Sequence, residues 1–154
     1  MYRLLSESAE PACHSLHYLQ MATEKLAKAY RLRETESPIS DLVSHHTGFA
    51  KFVRQYLLSA RNRELYEGKA AQLHSLVKAS ARLAAEIEKL APAVDRGSSP
   101  ENVEYPWEAA ERVIAPCEWS FPALSLLKAA HGRAFLKTIE LALRDLDKVN
   151  PASP

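Results

Sequence analysis

The sequence predicts an all-α fold: an up-and-down bundle of four long helices with a short extra helix in a proline-rich segment before the last one. Three observations carry that expectation. Glycine is scarce, at four residues in 154, while alanine, leucine, lysine and glutamate, all strong helix formers, are abundant. Apolar residues recur at helical spacing over long stretches. Alternating β-branched runs of the kind that build strands are absent. The length suits one domain over residues 1–150, with a frayed tail at 151–154.

The first helix is expected over residues 11–33. Pro11 falls in its first turn, where a missing N–H leaves no bond unmade. Leu16, Leu19, Thr23, Leu26 and Tyr30 form one stripe, and Arg31 and Arg33 suit the negative end of the helix dipole. Pro38 closes this segment, because the residue before a proline avoids the α region. A second helix is expected to start between residues 37 and 44 and to end near Ala60, with Phe49, Phe52, Val53, Tyr56 and Leu57 inward and Gly48 near its start. Arg61-Asn62-Arg63 reads as a short polar connection. The third helix, over residues 65–90, shows a near-heptad stripe of Leu73, Leu76, Val77, Ser80, Leu83, Ala84, Ile87 and Leu90. Residues 92–122 hold five of the nine prolines and both tryptophans, and a short helix begun by Pro106 is expected over 107–114. The last helix is expected over 122–149, with Leu124, Leu127, Phe135, Ile139, Ala142, Leu143 and Leu146 inward. Four such helices need one another to hide their apolar stripes.

A formal net charge of +1 excludes a surface that is basic throughout, as a general nucleic-acid binder would present. The charge is uneven, however. Residues 51–89 carry eight Lys or Arg against four acids, and residues 92–154 carry seven against nine. The middle helices therefore present either a basic face or an ordinary solvated surface. Cys13 and Cys117 lack any C-x-x-C spacing, so neither a disulfide framework nor a zinc site is expected. No apolar run approaches the ~20 residues of a membrane span or a signal peptide's core. The expectation is cytoplasmic residence with reduced thiols and no membrane contact.

Candidate chemistry is sparse. His45 and His46 stand at the start of the second helix, where an imidazole serves as acid or base, or simply as a surface hydrogen-bonding group. Arg61 and Arg63 stand at that helix's other end, roughly 22 Å away along the axis, so a site combining both pairs needs a dimer. His14 and His17, one turn apart, are the metal-ligand candidates, but no third ligand is identifiable and no cofactor is expected. The Glu-x-x-His motif of di-iron bundles is absent. His131 falls near the apolar stripe of the last helix, with Arg133 two residues on; a boundary histidine with a hydrogen-bond partner is the plain reading, and ligand binding the sharper one. Glu24 is placed to pair with Lys28 at i, i+4. Tyr105, Trp107, Trp119 and Phe121 suit sealing the bundle's open end, then a dimer contact, then base stacking, in that order. No phosphate loop or nucleophile elbow is present.

Residues 17–30, His-Tyr-Leu-Gln-Met-Ala-Thr-Glu-Lys-Leu-Ala-Lys-Ala-Tyr, resemble the first helix of HEPN (higher eukaryotes and prokaryotes nucleotide-binding) domains: an aromatic lead, an acid, then Lys-x-x-Lys-Ala. His46 resembles the family's second-helix opening, with Phe49 and Phe52 where leucines are usual, and Glu104-Tyr105-Pro106 resembles its aromatic-proline step before the last helix. The resemblance spans most of the chain. It implies a helical bundle, often dimeric, that is either a metal-independent ribonuclease of toxin–antitoxin or defence systems or a non-catalytic partner of nucleotidyltransferase-fold proteins. The ribonucleases use an Arg, a polar residue and then a His, with four to six residues between Arg and His. That pattern is missing here: the nearest pairs, Arg3 with His14 and Arg63 with His74, are eleven residues apart. The resemblance thus implies a domain acting by association, as a homodimer or with a nucleotidyltransferase-like or antitoxin partner, and with RNA or a nucleotide as a further ligand class. The alternatives are a ribonuclease with a non-standard site, drawing on His45, His46, Arg61 and Arg63, and a bundle holding a metal or small ligand.

Overall fold

The computed structural model describes residues 10–34, 46–94, 97 and 100–149. Among them are six helices: α1 (Ala12–Glu34), α2 (Phe49–Leu57), α3 (Ala60–Leu65), α4 (Ala70–Glu88), α5 (Pro122–Lys128) and α6 (Ala130–Val149). Between α4 and α5 lie a two-stranded antiparallel hairpin, β1 (Trp107–Ala109) and β2 (Arg112–Ile114), and a 3-10 turn at Pro116–Glu118. The chain is mostly helical, as its composition predicts. No helix among the described residues is long and apolar enough to cross a membrane. His45, the expected helix start at 37–44 and the tail at 151–154 lie outside the described residues.

The helical stripes converge on one core. Leu16 and Thr23 of α1, Val53 of α2, Ile87 and Ser80 of α4 and Phe135 of α6 are almost fully buried. Removing each large apolar side chain from water contributes about 1.5–3 kcal/mol. An aromatic run joins three helices: Tyr30 packs on Phe52, Phe52 on Phe49, and Phe49 edge-on against Phe135 at 5.9 Å. Two phenols reach across to α6. The Tyr30 hydroxyl donates to the Ala142 carbonyl and the Tyr56 hydroxyl to Asp145 Oδ2, each at 2.8 Å. Helices α2 and α4 form the most extensive pair and run in opposite directions, since Glu88 meets Gly48 at one end and Leu58 lies beside Ala70 and Leu73 at the other.

That first junction explains how α2 begins. Gly48 precedes it at φ 130° and brings no side chain to cap it. Instead Glu88 Oε1 accepts hydrogen bonds from the backbone N–H groups of Gly48, Phe49 and Ala50. A carboxylate there satisfies donors that the first turn leaves open and suits the positive end of the helix dipole.

Five expectations need correction. Residues 107–114 form a hairpin and not a short helix. Trp107 pairs with Ile114, and the turn is carried by Ala110 and Glu111 at φ 49° and 61°. Left-handed turn residues of this kind are usually Asn or Gly, so the local signal for a hairpin was weak. The alternation that buries Trp107 and exposes Glu108 is the burial a strand provides. Second, α2 stops at Leu57, and residues 61–63 belong to a helix of their own; Asn62 Nδ2 donates to the Tyr56 carbonyl at 2.7 Å, covering a group freed at the break. Third, α4 begins at Ala70, because Gly68 at φ 73° turns the chain first. Fourth, the last helix is divided at Ala129, whose ψ of 165° is extended. Across this bend a Cβ on Gly132 would lie 2.3 Å from the carbonyl oxygens of Leu126 and Leu127, so α5 and α6 meet where only glycine fits. Fifth, Leu143, expected inward, is 42% exposed.

Candidate functional site

The spacing of His17, Gln20, Glu24 and Lys28 places these residues along one side of α1, next to its apolar stripe. The first three line a groove of about 450 Å³, joined by Met21 and Lys25 of the same helix and by His46, just before α2. Residues 91–93, after α4, and Glu104 and Tyr105, before β1, complete it.

Glu24 is the hub of this groove. Lys28 Nζ donates to its Oε1 at 2.7 Å, the ion pair the spacing predicts, and Gln20 Nε2 donates to its Oε2 at 3.0 Å. His46 Nδ1 stands 3.3 Å from Oε1. Burial pushes the carboxyl pKa up, but the bonds from Lys28 and Gln20, the Lys28 charge and the bond from His46 outweigh it and hold the group below its ordinary value. Glu24 is therefore a fixed anion at neutral pH, and it ties the entry of α2 to α1.

The second imidazole, His17, has its Nδ1 3.6 Å from Glu104 Oε1. Glu104 is placed by Asn102, which is 1% exposed and uses both ends of its amide. Asn102 Oδ1 accepts from the N–H groups of Glu104 (3.0 Å) and Tyr105 (2.7 Å), while Nδ2 donates to the carbonyls of Tyr105 (3.0 Å) and Pro100 (3.2 Å). His46 Nδ1 thus has the Glu24 carboxylate within hydrogen-bonding reach, while His17 Nδ1 is buried without a hydrogen-bond partner, the Glu104 carboxylate standing just beyond reach. Lys25, exposed at the edge, supplies a cation.

A second, more open groove of about 640 Å³ adjoins the first and shares His17, Glu104 and Tyr105 with it. His14 lies here, with its Nδ1 3.3 Å from Glu10 Oε2. His14 and His17 are thus turned toward different carboxylates, and among the described residues no three metal-ligating side chains gather.

The remaining sequence candidates are dispersed. Arg61 and Arg63 sit on α3, past the far end of α2; Arg63 is exposed and does not line the groove of His46. Tyr105, 57% exposed, borders both grooves. Trp107 is buried and meets Trp119 edge-on at 5.7 Å and Phe121 at 6.3 Å, so these three rings pack together as part of the apolar core or against it. His131 is exposed in the first turn of α6 and is not a boundary residue. Arg133 Nη1 donates to the Lys128 carbonyl at 3.0 Å and covers the end of α5.

Sequence reasoning missed Gln20, Lys25, Asn102 and Glu104 as parts of one site. Only Asn102 carried a local signal, since an asparagine two residues before Glu104-Tyr105-Pro106 suits an Asx turn. The two cysteines, distant in sequence, are electrostatic neighbours. Burial pushes the Cys13 thiol pKa up, and the proximity of Cys117 adds to the shift. Neither family models, nor characterised proteins, nor solved structures yield a match to this chain.

Proposed function

We propose that the chain is a HEPN-like helical bundle that acts by association, as a homodimer or with a nucleotidyltransferase-like or antitoxin partner, without the family's standard ribonuclease chemistry. The observation that carries this reading is the face of α1 that flanks the two grooves. Tyr18 (47% exposed), Met21 (36%) and Tyr105 (57%) lie there around the His17–Glu104 pair. Large amphipathic rings beside a thioether, with polar groups between them, have the composition of an interface centre. The missing Arg-to-His spacing and the position of Arg63 away from the groove support an inert site.

Sedimentation of the pure protein tests the homodimer arm. A dimer converted to monomer by Tyr18→Glu with Tyr105→Glu supports it, and a dimer that both changes leave intact refutes this face. Where the parent is a monomer, co-purification with a partner, abolished by the same changes, is the expected result.

A second reading is favoured by one observation: His17 and His46, each backed by a carboxylate, line a single groove with Lys25 at its edge. Two imidazoles and a cation are the parts a metal-independent ribonuclease needs, one ring accepting the 2′-hydroxyl proton, the other protonating the leaving oxygen, and the cation facing the phosphate. Labelled RNA incubated with the protein in EDTA separates the readings. Cleavage abolished by His46→Ala and by His17→Ala establishes the enzyme, and persistent inertness favours association.

A further inference from the structure

Helices α2 and α4 enclose a third groove, of about 540 Å³, which shares no residue with the α1 face. Its floor is apolar, built by Leu58, Leu73 and Val77. Its rims carry Arg54 on one side and Lys78, beside the His74 imidazole, on the other, all exposed. No acid lines it. The sequence of α2 contains no acid at all, and α4 has none before Glu86. Helical spacing continues the two rims with Lys51, one turn from Arg54, and Arg82, one turn from Lys78, both exposed. Among the described residues no ion pair engages Arg54 or Lys78, in contrast to Lys28, Lys89 and Lys148, each of which meets a neighbouring carboxylate. The basic excess of residues 51–89 is thereby concentrated along an apolar trough.

We propose that this groove docks an acidic amphipathic helix of a partner protein, with apolar side chains on Leu58, Leu73 and Val77 and carboxylates on Arg54 and Lys78. The dimensions suit it. From Ala70 to Ala81 the groove runs about 16 Å along α4, three helical turns, which accepts anchors at i, i+4 and i+7. Alanines at both ends let a second backbone come close. The charge pattern sets the occupant's sign, because unpaired cations on both rims attract and orient an acidic helix. RNA is the weaker fit: among the described residues the only ring at the groove is the His74 imidazole on its rim, and a phosphate backbone has no use for the apolar floor.

The test uses the full-length protein and a fluorescein-labelled 18-residue peptide with leucines at i, i+4, i+7 and i+11 and glutamates on the opposite face. A scrambled peptide of the same composition and a single-stranded RNA of equal charge serve as comparators. Fluorescence anisotropy is expected to show the patterned peptide binding about tenfold or more tightly than the scrambled one. The double reversal Arg54→Glu with Lys78→Glu should weaken it at least about tenfold. Ala81→Trp, which fills the trough and leaves the charge unchanged, should weaken it comparably. Equal affinity for the two peptides, or binding indifferent to Ala81→Trp, overturns the proposal by reducing the effect to general charge attraction. Tight RNA binding lost in the charge reversal, with no preference between the peptides, overturns it in favour of a nucleic-acid surface.

Discussion

Asn102→Ala deletes a side chain that is 1% exposed and makes four hydrogen bonds. Each neutral bond contributes about 1 kcal/mol net, and a buried group left without a partner costs more. Three of the four freed backbone groups belong to Glu104 and Tyr105, which are exposed enough for water to take over part of the role. The expected loss is therefore about 3 kcal/mol, close to the sum of the net values and short of the full desolvation cost. For a domain of this size that corresponds to a melting temperature lower by about 6–12 °C. Asn102→Asp sharpens the test because the shape is conserved. Oδ1 still accepts from Glu104 and Tyr105, but the amide donor becomes a carboxylate oxygen facing the carbonyls of Pro100 and Tyr105. Its destabilisation at neutral pH should equal or exceed that of alanine, and should shrink in acid, where the protonated carboxyl regains one donor. Urea unfolding followed by circular dichroism reads both. If both variants stay within about 0.5 kcal/mol of the parent at pH 7, the turn is not held by this amide and the placement of Glu104 beside His17 needs another cause.

Glu88→Ala removes the carboxylate that accepts from three N–H groups at the start of α2, and should cost about 2 kcal/mol in chemical denaturation, with Glu88→Gln intermediate. Gly132→Ala forces a methyl group against two backbone carbonyl oxygens, which cannot rotate away, and should destabilise by about 3 kcal/mol or prevent folding; a neutral outcome by thermal melting would mean that the α5–α6 bend opens freely. Glu24 has a folded pKa below its ordinary value of 4.5, so its stabilisation is complete above the unfolded pKa and is lost as pH falls through the folded one. The stability difference between the parent and Glu24→Gln should thus be constant above about pH 5 and narrow below about 4.5, and a difference that widens in acid contradicts the hub. Native thiol titration should find one fast cysteine, the exposed Cys117, and a slow Cys13, whose burial both shields it and raises its pKa; two equal rates would refute that packing.

The helical stripes were legible in the sequence because burial on one face of a helix is a local, periodic property. Leu16, Leu19, Thr23 and Leu26, like Leu73, Val77, Ser80, Leu83 and Ile87, fall where the 3.6-residue period places them. Breaks were less legible. The stops at Leu57 and Ala129 carry no proline or glycine at the break itself and depend on contacts reaching back from a few residues on: Asn62 to the Tyr56 carbonyl, and Gly132 seated against the carbonyls of Leu126 and Leu127. The hairpin was hidden for a related reason. Ala110 and Glu111 are poor left-handed residues, and it is the burial of Trp107 against Trp119 and Phe121 that selects the turn. Of the site, His17, His46 and Tyr105 were nameable as single residues. Their meeting was not, since Glu24 and His46 are 22 positions apart and His17 and Glu104 are 87 apart, and no short-range rule spans such distances.

Both candidate surfaces depend on the entry of α2. His46 is held by Glu24 of α1, and the N–H groups of Gly48, Phe49 and Ala50 are held by Glu88 of α4. Gly48 itself contributes no capping side chain, so it is Glu88 that holds the start of α2, while Glu24 holds His46 just before it. That start sets the position of Arg54 and Leu58 relative to His74 and Lys78, one turn and more downstream. A ligand that competes for Glu24, or a partner that draws His46 out of its groove, acts only on the segment before Gly48, whereas the start of α2 itself rests on Glu88. The two carboxylates therefore act separately. Glu24→Gln loosens His46 while Glu88 still holds the helix, so peptide binding to the α2–α4 groove should change little. Glu88→Ala releases the helix start itself, and that binding should weaken although no groove residue has been altered.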